Sequence, residues 1–201
     1  MDNAYAEKIE TISKRISTRK NYPLLNYPLL ILNEMASLNE IYLNSAIKHF
    51  KTYQLMAEKA MEQLEEEKLF ISPASGSNSI AIIVQHMAGN LLSRFTDFLT
   101  TDGEKEWRSR DEEFEIVINN RFDLVKRWNQ GWDCVFKALE NLQTDQLSET
   151  VYIRKEAHSV LDAINRQLTH HASHVGQIVY IAKMLKGEEF RSLSIPKRKN
   201  S

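Results

Sequence analysis

Two histidines spaced four residues apart are the part of this sequence with the clearest capacity for chemistry. His170 and His174 fall in a stretch that predicts an α-helix, and this spacing places two side chains on the same face of a helix. Both imidazoles can therefore bind one divalent ion at about 2.0–2.1 Å. The alternative is that they are core or rim histidines with ordinary hydrogen bonds. His171 points about 100° away on the helix and is expected to be at most a neighbour of the site.

A third ligand has to come from another part of the chain, because catalytic metal sites usually have three protein ligands. His86 is the candidate, since it falls in a different predicted helix, on a face that it shares with polar residues. Taken alone, His86 is also consistent with a surface or partly buried polar residue. His49 is expected at the surface or in the core, and His158 near a helix start.

Long stretches without glycine or proline predict the helices that would carry these histidines, with apolar residues at helical spacing. Capping-box patterns at Ser109–Glu112 and Ser159–Asp162 are expected to start the third and fourth helices, and Gly187 to end the fourth. Their lengths predict an all-α four-helix bundle, and the long third connection favours at least one crossover. The expected helices span about 37–68, 79–101, 109–142 and 159–186.

The chain is expected to divide into three parts. Residues 1–34 contain a repeated Tyr-Pro-Leu-Leu motif, and each proline disfavours helix at the residue before it. We expect an N-terminal extension there, which is either a flexible arm or an over-long gene model with Met35 as the true start. The bundle domain is expected over 35–190 and a basic tail over 191–201.

Composition narrows the classes of partner. The chain has 26 lysines and arginines against 27 aspartates and glutamates, so it offers no overall attraction for nucleic acid or for an anionic membrane. The single cysteine, Cys134, cannot form an internal disulfide and is expected to be a small buried residue. No apolar run approaches the length of a transmembrane helix. We therefore expect a cytoplasmic protein without nucleic-acid or membrane partners.

The order of the histidines resembles a known superfamily. A histidine in the second helix, followed in the fourth by His-x-x-x-His and Gly-Gln, is similar to the DinB-like (DinB/YfiT) proteins. The likeness covers about residues 40–187 and is closest to an uncharacterised branch. It implies a bundle with a three-histidine divalent-metal site at His86, His170 and His174. Three stretches carry the likeness most clearly, residues 78–90, 94–105 and 163–167.

The resemblance also implies an activity. Characterised members of the superfamily are metal-dependent transferases that join a low-molecular-weight thiol to an electrophile, or thiol-dependent isomerases. One divalent ion such as Zn or Ni would deprotonate a bound thiol at neutral pH, and a homodimer is expected. Two alternatives stay open: a metal-dependent hydrolase at the same three histidines, and a non-catalytic dimeric interaction bundle.

Further residues are placed near the expected ion by helical spacing. Asn90 lies one turn beyond His86, and Gln177 follows His174 by three residues, so both can orient a substrate or a water. The candidates for binding an acidic thiol are Arg94, Arg108, Arg110, Arg154 and Glu156. The alternative for these charged residues is that they form surface ion pairs.

Overall fold

The structure is a computed structural model that describes residues 36–115 and 118–194. The expectations for residues 1–34 and for most of the tail fall outside these residues. The compact unit that begins at Leu38 contains, within the described ranges, four α-helices and one two-stranded sheet. No helix there is both long and apolar enough to cross a membrane. The helices are α1 (Leu38–Met61), α2 (Ile80–Phe95), α3 (Arg121–Glu140) and α4 (Val160–Lys186), and the strands are β1 (Thr150–Ile153) and β2 (Glu156–Ser159).

Helices α1 and α2, and likewise α3 and α4, follow each other in the sequence but are not neighbours in the bundle. Helix α1 packs mainly against α4, and α2 packs mainly against α3. Contacts between α2 and α4 and between α1 and α3 complete the ring. Consecutive helices α1 and α2 therefore stand on a diagonal of the bundle, as do α3 and α4. This arrangement confirms the all-α four-helix bundle with crossover connections.

Helix α2 is the most deeply buried helix of the bundle. Leu92 is the one residue of its sixteen that is not buried, because the helix is apolar on nearly all sides and packs against α3, α4 and the connecting segments. Its polar residues are consequently buried as well. His86 has only 5% of its surface exposed, which excludes the surface position that the sequence left open for it.

Helix α4 begins and ends as its sequence predicts. The Ser159 hydroxyl accepts a hydrogen bond from the amide of Asp162 at 3.1 Å, which satisfies one of the free donors of the first turn. At the other end Gly187 adopts a φ of 65°, a conformation that glycine reaches without strain. The two histidines of α4 therefore lie in a helix with well-defined ends.

Helix α3 is shorter than predicted, and the capping box expected at Ser109–Glu112 is wrong. Asp111–Phe114 instead forms a short 3₁₀ helix without a side-chain cap. The Gln85 side chain donates to the backbone carbonyls of Glu113 and Glu115, and these contacts with α2 draw the segment away from a continuous helix. Asn120 is the residue that caps α3, since its side chain accepts from the amide of Asp123 at 2.9 Å.

The first two helices also end earlier than predicted. Helix α1 ends at Met61 instead of continuing to about 68, and Glu66–Phe70 forms a separate 3₁₀ helix that buries Leu69. Helix α2 ends at Phe95 instead of about 101, because Thr96 is extended and Asp97 has a φ of 48°. Both ends depend on tertiary packing, because the sequence has no glycine or proline at either position.

The segment between α3 and α4 contains an antiparallel hairpin. Strands β1 and β2 pair from Thr150 with Ser159 to Ile153 with Glu156. The turn residues Arg154 and Lys155 both have positive φ, 55° and 66°, as a two-residue hairpin turn requires. The Asp102 carboxylate accepts from both of their amides, at 2.9 and 2.7 Å. Asp102 thus stabilises a turn made without glycine and fixes the backbone of Arg154.

Candidate metal centre

Three imidazole nitrogens from α2 and α4 converge on one point. The Nε2 atom of His170 lies 3.3 Å from Nε2 of His86 and 3.1 Å from Nε2 of His174. The three residues form a group whose ligand atoms all lie within 4.8 Å of one another. Two nitrogens bound to one ion at about 2.0–2.1 Å and about 90–110° apart are separated by about 2.8–3.4 Å. The two distances from Nε2 of His170 fall within that range.

Hydrogen bonds at the far side of two rings leave their inner nitrogens free to bind an ion. His86 donates from Nδ1 to the Glu113 carboxylate at 2.9 Å, and His174 donates from Nδ1 to Oε1 of Gln177 at 2.9 Å. A neutral imidazole carries one ring proton. With the proton on Nδ1, both rings direct the lone pair of Nε2 towards His170. This is the tautomer in which Nε2 can bind a metal ion.

The environment keeps the α4 imidazoles neutral. Burial, with smaller contributions from His174 and His86, lowers the pKa of His170 to about 3. Burial also lowers the pKa of His174, although the hydrogen bond with Gln177 opposes this shift. Both side chains are therefore unprotonated at neutral pH, and a neutral imidazole is the form that binds a metal ion.

The donor set fits a bound divalent cation better than it fits hydrogen bonding among the histidines. With Nε2 lone pairs presented by His86 and His174, a single proton on Nε2 of His170 can satisfy one of them at a time. One cation at the point of convergence would satisfy all three lone pairs. Three imidazoles suit Zn, Ni, Cu and Fe alike.

A cavity of about 660 Å³ adjoins the histidine cluster. It is lined by residues of α2 and α4, of the connection that follows α2, and of the hairpin turn. His86 and His170 are part of its wall. Buried Asn90 and Gln167 also line it, and in each the side-chain oxygen lacks a hydrogen-bond partner within the described ranges. Unpaired buried polar atoms beside a cavity mark positions where a polar ligand or water can bind.

The cavity wall is strongly cationic. Three of its arginines share one carboxylate: Arg94 and Arg154 contact Glu104 at 3.0 and 2.8 Å, and Arg108 lies 3.6 Å from it. Arg166 also lines the cavity and forms no ion pair with any residue that the structure describes. The lining contains five arginines and one aspartate, Asp162, so it offers attraction for an anionic ligand.

The structure brings most of the predicted site residues together. Asn90, Arg94, Arg108, Arg110 and Arg154 line the cavity with two of the histidines. Gln177 lies outside this lining but is hydrogen-bonded to His174. Glu156 is exposed in β2 and is not part of the lining.

His171 is not part of the convergent group and lies in the core beside it. It is fully buried, with its ring 5.7 Å from that of Trp132 and 6.4 Å from that of Phe50. Burial holds its pKa well below the usual value for histidine, and neither ring nitrogen has a partner among the described residues. His171 is therefore a residue of the core that adjoins His170.

Three residues of the site were not identified from the sequence. Glu113, which is only 8% exposed and contacts His86, belongs to the segment mistaken for a helix start. Gln167 gave no separate signal. Arg166 could have been found, because it precedes His170 by four residues and therefore shares its helix face.

The fold and this cluster define a four-helix bundle with three convergent histidines beside a cationic cavity. The chain belongs to the family described as protein of unknown function (DUF1572), which matches residues 37–199. No curated protein matches the chain. The match confirms membership of a family of unknown function, while the DinB-like superfamily and the activity stay predictions.

Proposed function

We propose that the chain is a DinB/YfiT-like metal-dependent transferase that joins a low-molecular-weight thiol to a small electrophile. The observation that carries the proposal is the convergence of His86, His170 and His174 beside a cavity lined by arginines. The four-helix bundle, with the histidines on its second and fourth helices, is what the resemblance to the superfamily implies. One divalent ion, Zn or Ni, would be held by the three Nε2 atoms.

Such an ion would lower the pKa of a thiol so that a thiolate nucleophile is available at neutral pH. The reaction forms one sulfur–carbon bond, the leaving group departs with its bonding electron pair, and the thiol proton passes to solvent. The chain's own residues hold the reactants. Asn90 and Gln167 offer buried amide groups to polar parts of a substrate.

We infer that the thiol substrate is anionic. Arg166 lies one helical turn before His170 on the same face of α4 and has no carboxylate partner in the described part of the chain. Arg110 lines the same cavity from the segment that follows α2, and its one ion pair in the described residues is with exposed Asp111 at 3.4 Å. A carboxylate bound between these two guanidinium groups would be placed near the histidines, because charge-assisted hydrogen bonds from arginine to carboxylate are strong and directional.

The test is a coupling assay with Zn- or Ni-loaded protein, monobromobimane as the electrophile and two thiols of similar size. We expect catalysed coupling of 3-mercaptopropionate, and much weaker coupling of neutral 2-mercaptoethanol. Arg166→Ala should reduce the rate with the first thiol by about tenfold or more, the loss of one charged hydrogen bond, and leave the second unchanged. No catalysis with any thiol, together with turnover of an ester such as 4-nitrophenyl acetate, would instead support the hydrolase.

The homodimer and the cytoplasmic location are part of the same proposal, since both come from the resemblance and the composition. Exposed Phe122 and Val125 on α3 give one apolar face through which two copies could pair. Light scattering of the purified protein would measure the oligomeric state. A metal-loaded dimer without turnover of either thiol or ester would support the interaction bundle.

A further inference from the structure

The Glu113 carboxylate is held in one orientation by charged partners. Its Oε2 accepts from Nδ1 of His86 at 2.9 Å, and the Arg108 guanidinium donates to Oε1 and Oε2 at 2.8 Å each. The side chains of Glu113 and Arg108 are 9% and 2% exposed. A buried fork of this kind fixes the plane of the carboxylate. Burial alone would raise the pKa of Glu113, but the hydrogen bonds from Arg108 and His86 lower it below its usual value.

Two further residues of α2 secure Glu113 in this position. Gln85 donates to the carbonyls of Glu113 and Glu115 at 3.1 and 2.8 Å and accepts from the amide of Ile118 at 3.0 Å. Gly89 provides the space for the carboxylate. A Cβ atom at Gly89 would overlap Oε1 of Glu113 and lie only 2.7 Å from its Cδ, so the carboxylate occupies the volume that a side chain at this position would fill.

We propose that Glu113 is a positioning residue of the metal centre, which fixes the ring of His86 so that its Nε2 faces the ion position. This inference rests on the proposed metal site and extends it by a residue that does not contact the ion. Carboxylate partners of this kind raise the basicity of a histidine ligand and set its orientation. Arg108 holds the carboxylate, Gln85 holds its backbone, and Gly89 leaves room for it.

The comparison with the other two histidines shows why His86 needs this support. His170 and His174 are one turn apart on a single helix, so the backbone of α4 already sets their relative placement. His86 comes from a different helix, and its ring can turn about its own side-chain bonds. A fixed hydrogen bond at Nδ1 removes that freedom before an ion binds.

The test measures Zn²⁺ affinity by competition with a chromophoric chelator, the visible spectrum of the Co²⁺-loaded protein, and the melting temperature of the metal-free protein. Glu113→Ala and Gly89→Ala are each expected to weaken Zn²⁺ binding by about 10–100-fold and to change the Co²⁺ spectrum. Glu113→Gln, which keeps an acceptor for His86, should recover part of the affinity.

Gly176→Ala is the matched control for Gly89→Ala. Both glycines are within helices, but a Cβ at Gly176 meets nothing within 4 Å, although it lies only two residues from His174. We expect its Zn²⁺ affinity and Co²⁺ spectrum to match those of the wild type. Both substitutions favour helix formation, so Gly89→Ala decides the matter if Glu113→Ala fails to fold.

The outcomes separate this inference from the proposed function. Wild-type protein that binds no Zn²⁺ or Co²⁺ would overturn the metal site and the inference together. Wild-type binding with unchanged affinity and spectrum in folded Glu113→Ala or Gly89→Ala would overturn the inference alone. A lower melting temperature without any change in affinity or spectrum would mean that Glu113 only holds its loop.

Discussion

The two sides of the three-histidine cluster differ in how they hold their ligands. On the α2 side, His86 is buried and its Nδ1 contacts a carboxylate that is itself fixed by Arg108. On the α4 side, His174 contacts the amide of exposed Gln177, and Nδ1 of His170 has no partner in the described ranges. The two ligands that share a helix are aligned by their spacing and have a neutral partner or none at Nδ1, whereas the ligand from the second helix has a buried, charged partner.

Removal of the α2 ligand is expected to have the largest effect. His86→Ala leaves only the two histidines of α4, which hold an ion weakly. We expect the variant to lose stoichiometric metal through gel filtration, while its helical circular dichroism stays that of the wild type. Full retention of metal by the folded variant would place the ion elsewhere and break the comparison.

The supports of the two sides should differ in strength. Gln177→Ala removes a neutral and exposed acceptor. We therefore expect it to weaken Zn²⁺ binding by less than about tenfold, whereas Glu113→Ala, which removes a buried charged partner, should weaken it by about tenfold or more. Chelator competition on the two variants side by side measures the ratio. Equal losses, or a larger loss for Gln177→Ala, would contradict the difference between the two sides.

The pH dependence of the metal-free protein follows from the α4 side. Burial lowers the pKa of His170 to about 3 in the folded chain, while in the unfolded chain it titrates near 6.5. As the pH falls, the unfolded state therefore binds the proton before the folded state does. The contribution of His170 to the free energy of unfolding has its full value above about pH 6.5 and is lost as the pH falls towards 3. Burial of His171 acts in the same direction.

Urea unfolding in the presence of EDTA, at several values between pH 7.5 and 5, measures this dependence. The stability difference between wild type and His170→Ala should change in favour of the variant as the pH falls. A difference that is constant with pH would show that His170 titrates alike in the folded and the unfolded chain, and a change in the opposite direction would show that the folded chain binds the proton more tightly.

The smallest effect on metal binding is expected at His171. Substitution there tests whether this residue differs in role from its neighbour His170. Its two ring nitrogens have no partners in the described part of the chain, and a buried unsatisfied polar group costs about 1–3 kcal/mol. His171→Leu should therefore raise the free energy of unfolding by about 1 kcal/mol and leave the metal stoichiometry unchanged. Loss of metal in a stable variant would mean that His171 belongs to the site.

The sequence predicts α4 and its histidine pair well, because the evidence for them is local. Ser159 and Gly187 are a helix start and stop that need no other part of the chain, and a spacing of four residues aligns His170 with His174. The crossover of the bundle could be predicted only as a possibility. Which helices are neighbours depends on long-range packing, which leaves no periodic pattern in the sequence.

Glu113 could not be predicted, since its local pattern indicates a different structure. Ser109–Glu112 has the residues of a capping box, but Gln85 and Arg108 bind the backbone and the carboxylate of Glu113 in a short 3₁₀ helix. The burial of His86 was equally undetermined, because it depends on how completely α3 and α4 cover α2. Tertiary contacts determine the conformation at Glu113 against its local pattern, and they determine the burial of His86, for which the local sequence gives no signal.

Metal content of the untagged protein is the most direct test of the central claim that these three histidines hold one divalent ion. Elemental analysis of wild type and His170→Ala, purified in parallel and checked for folding by circular dichroism, measures it without interference from a histidine tag. We predict about one ion per chain in the wild type, as one group of three convergent imidazoles implies, and none in the variant. Absence of metal from both proteins, even after incubation with Zn²⁺ or Ni²⁺, would contradict the account.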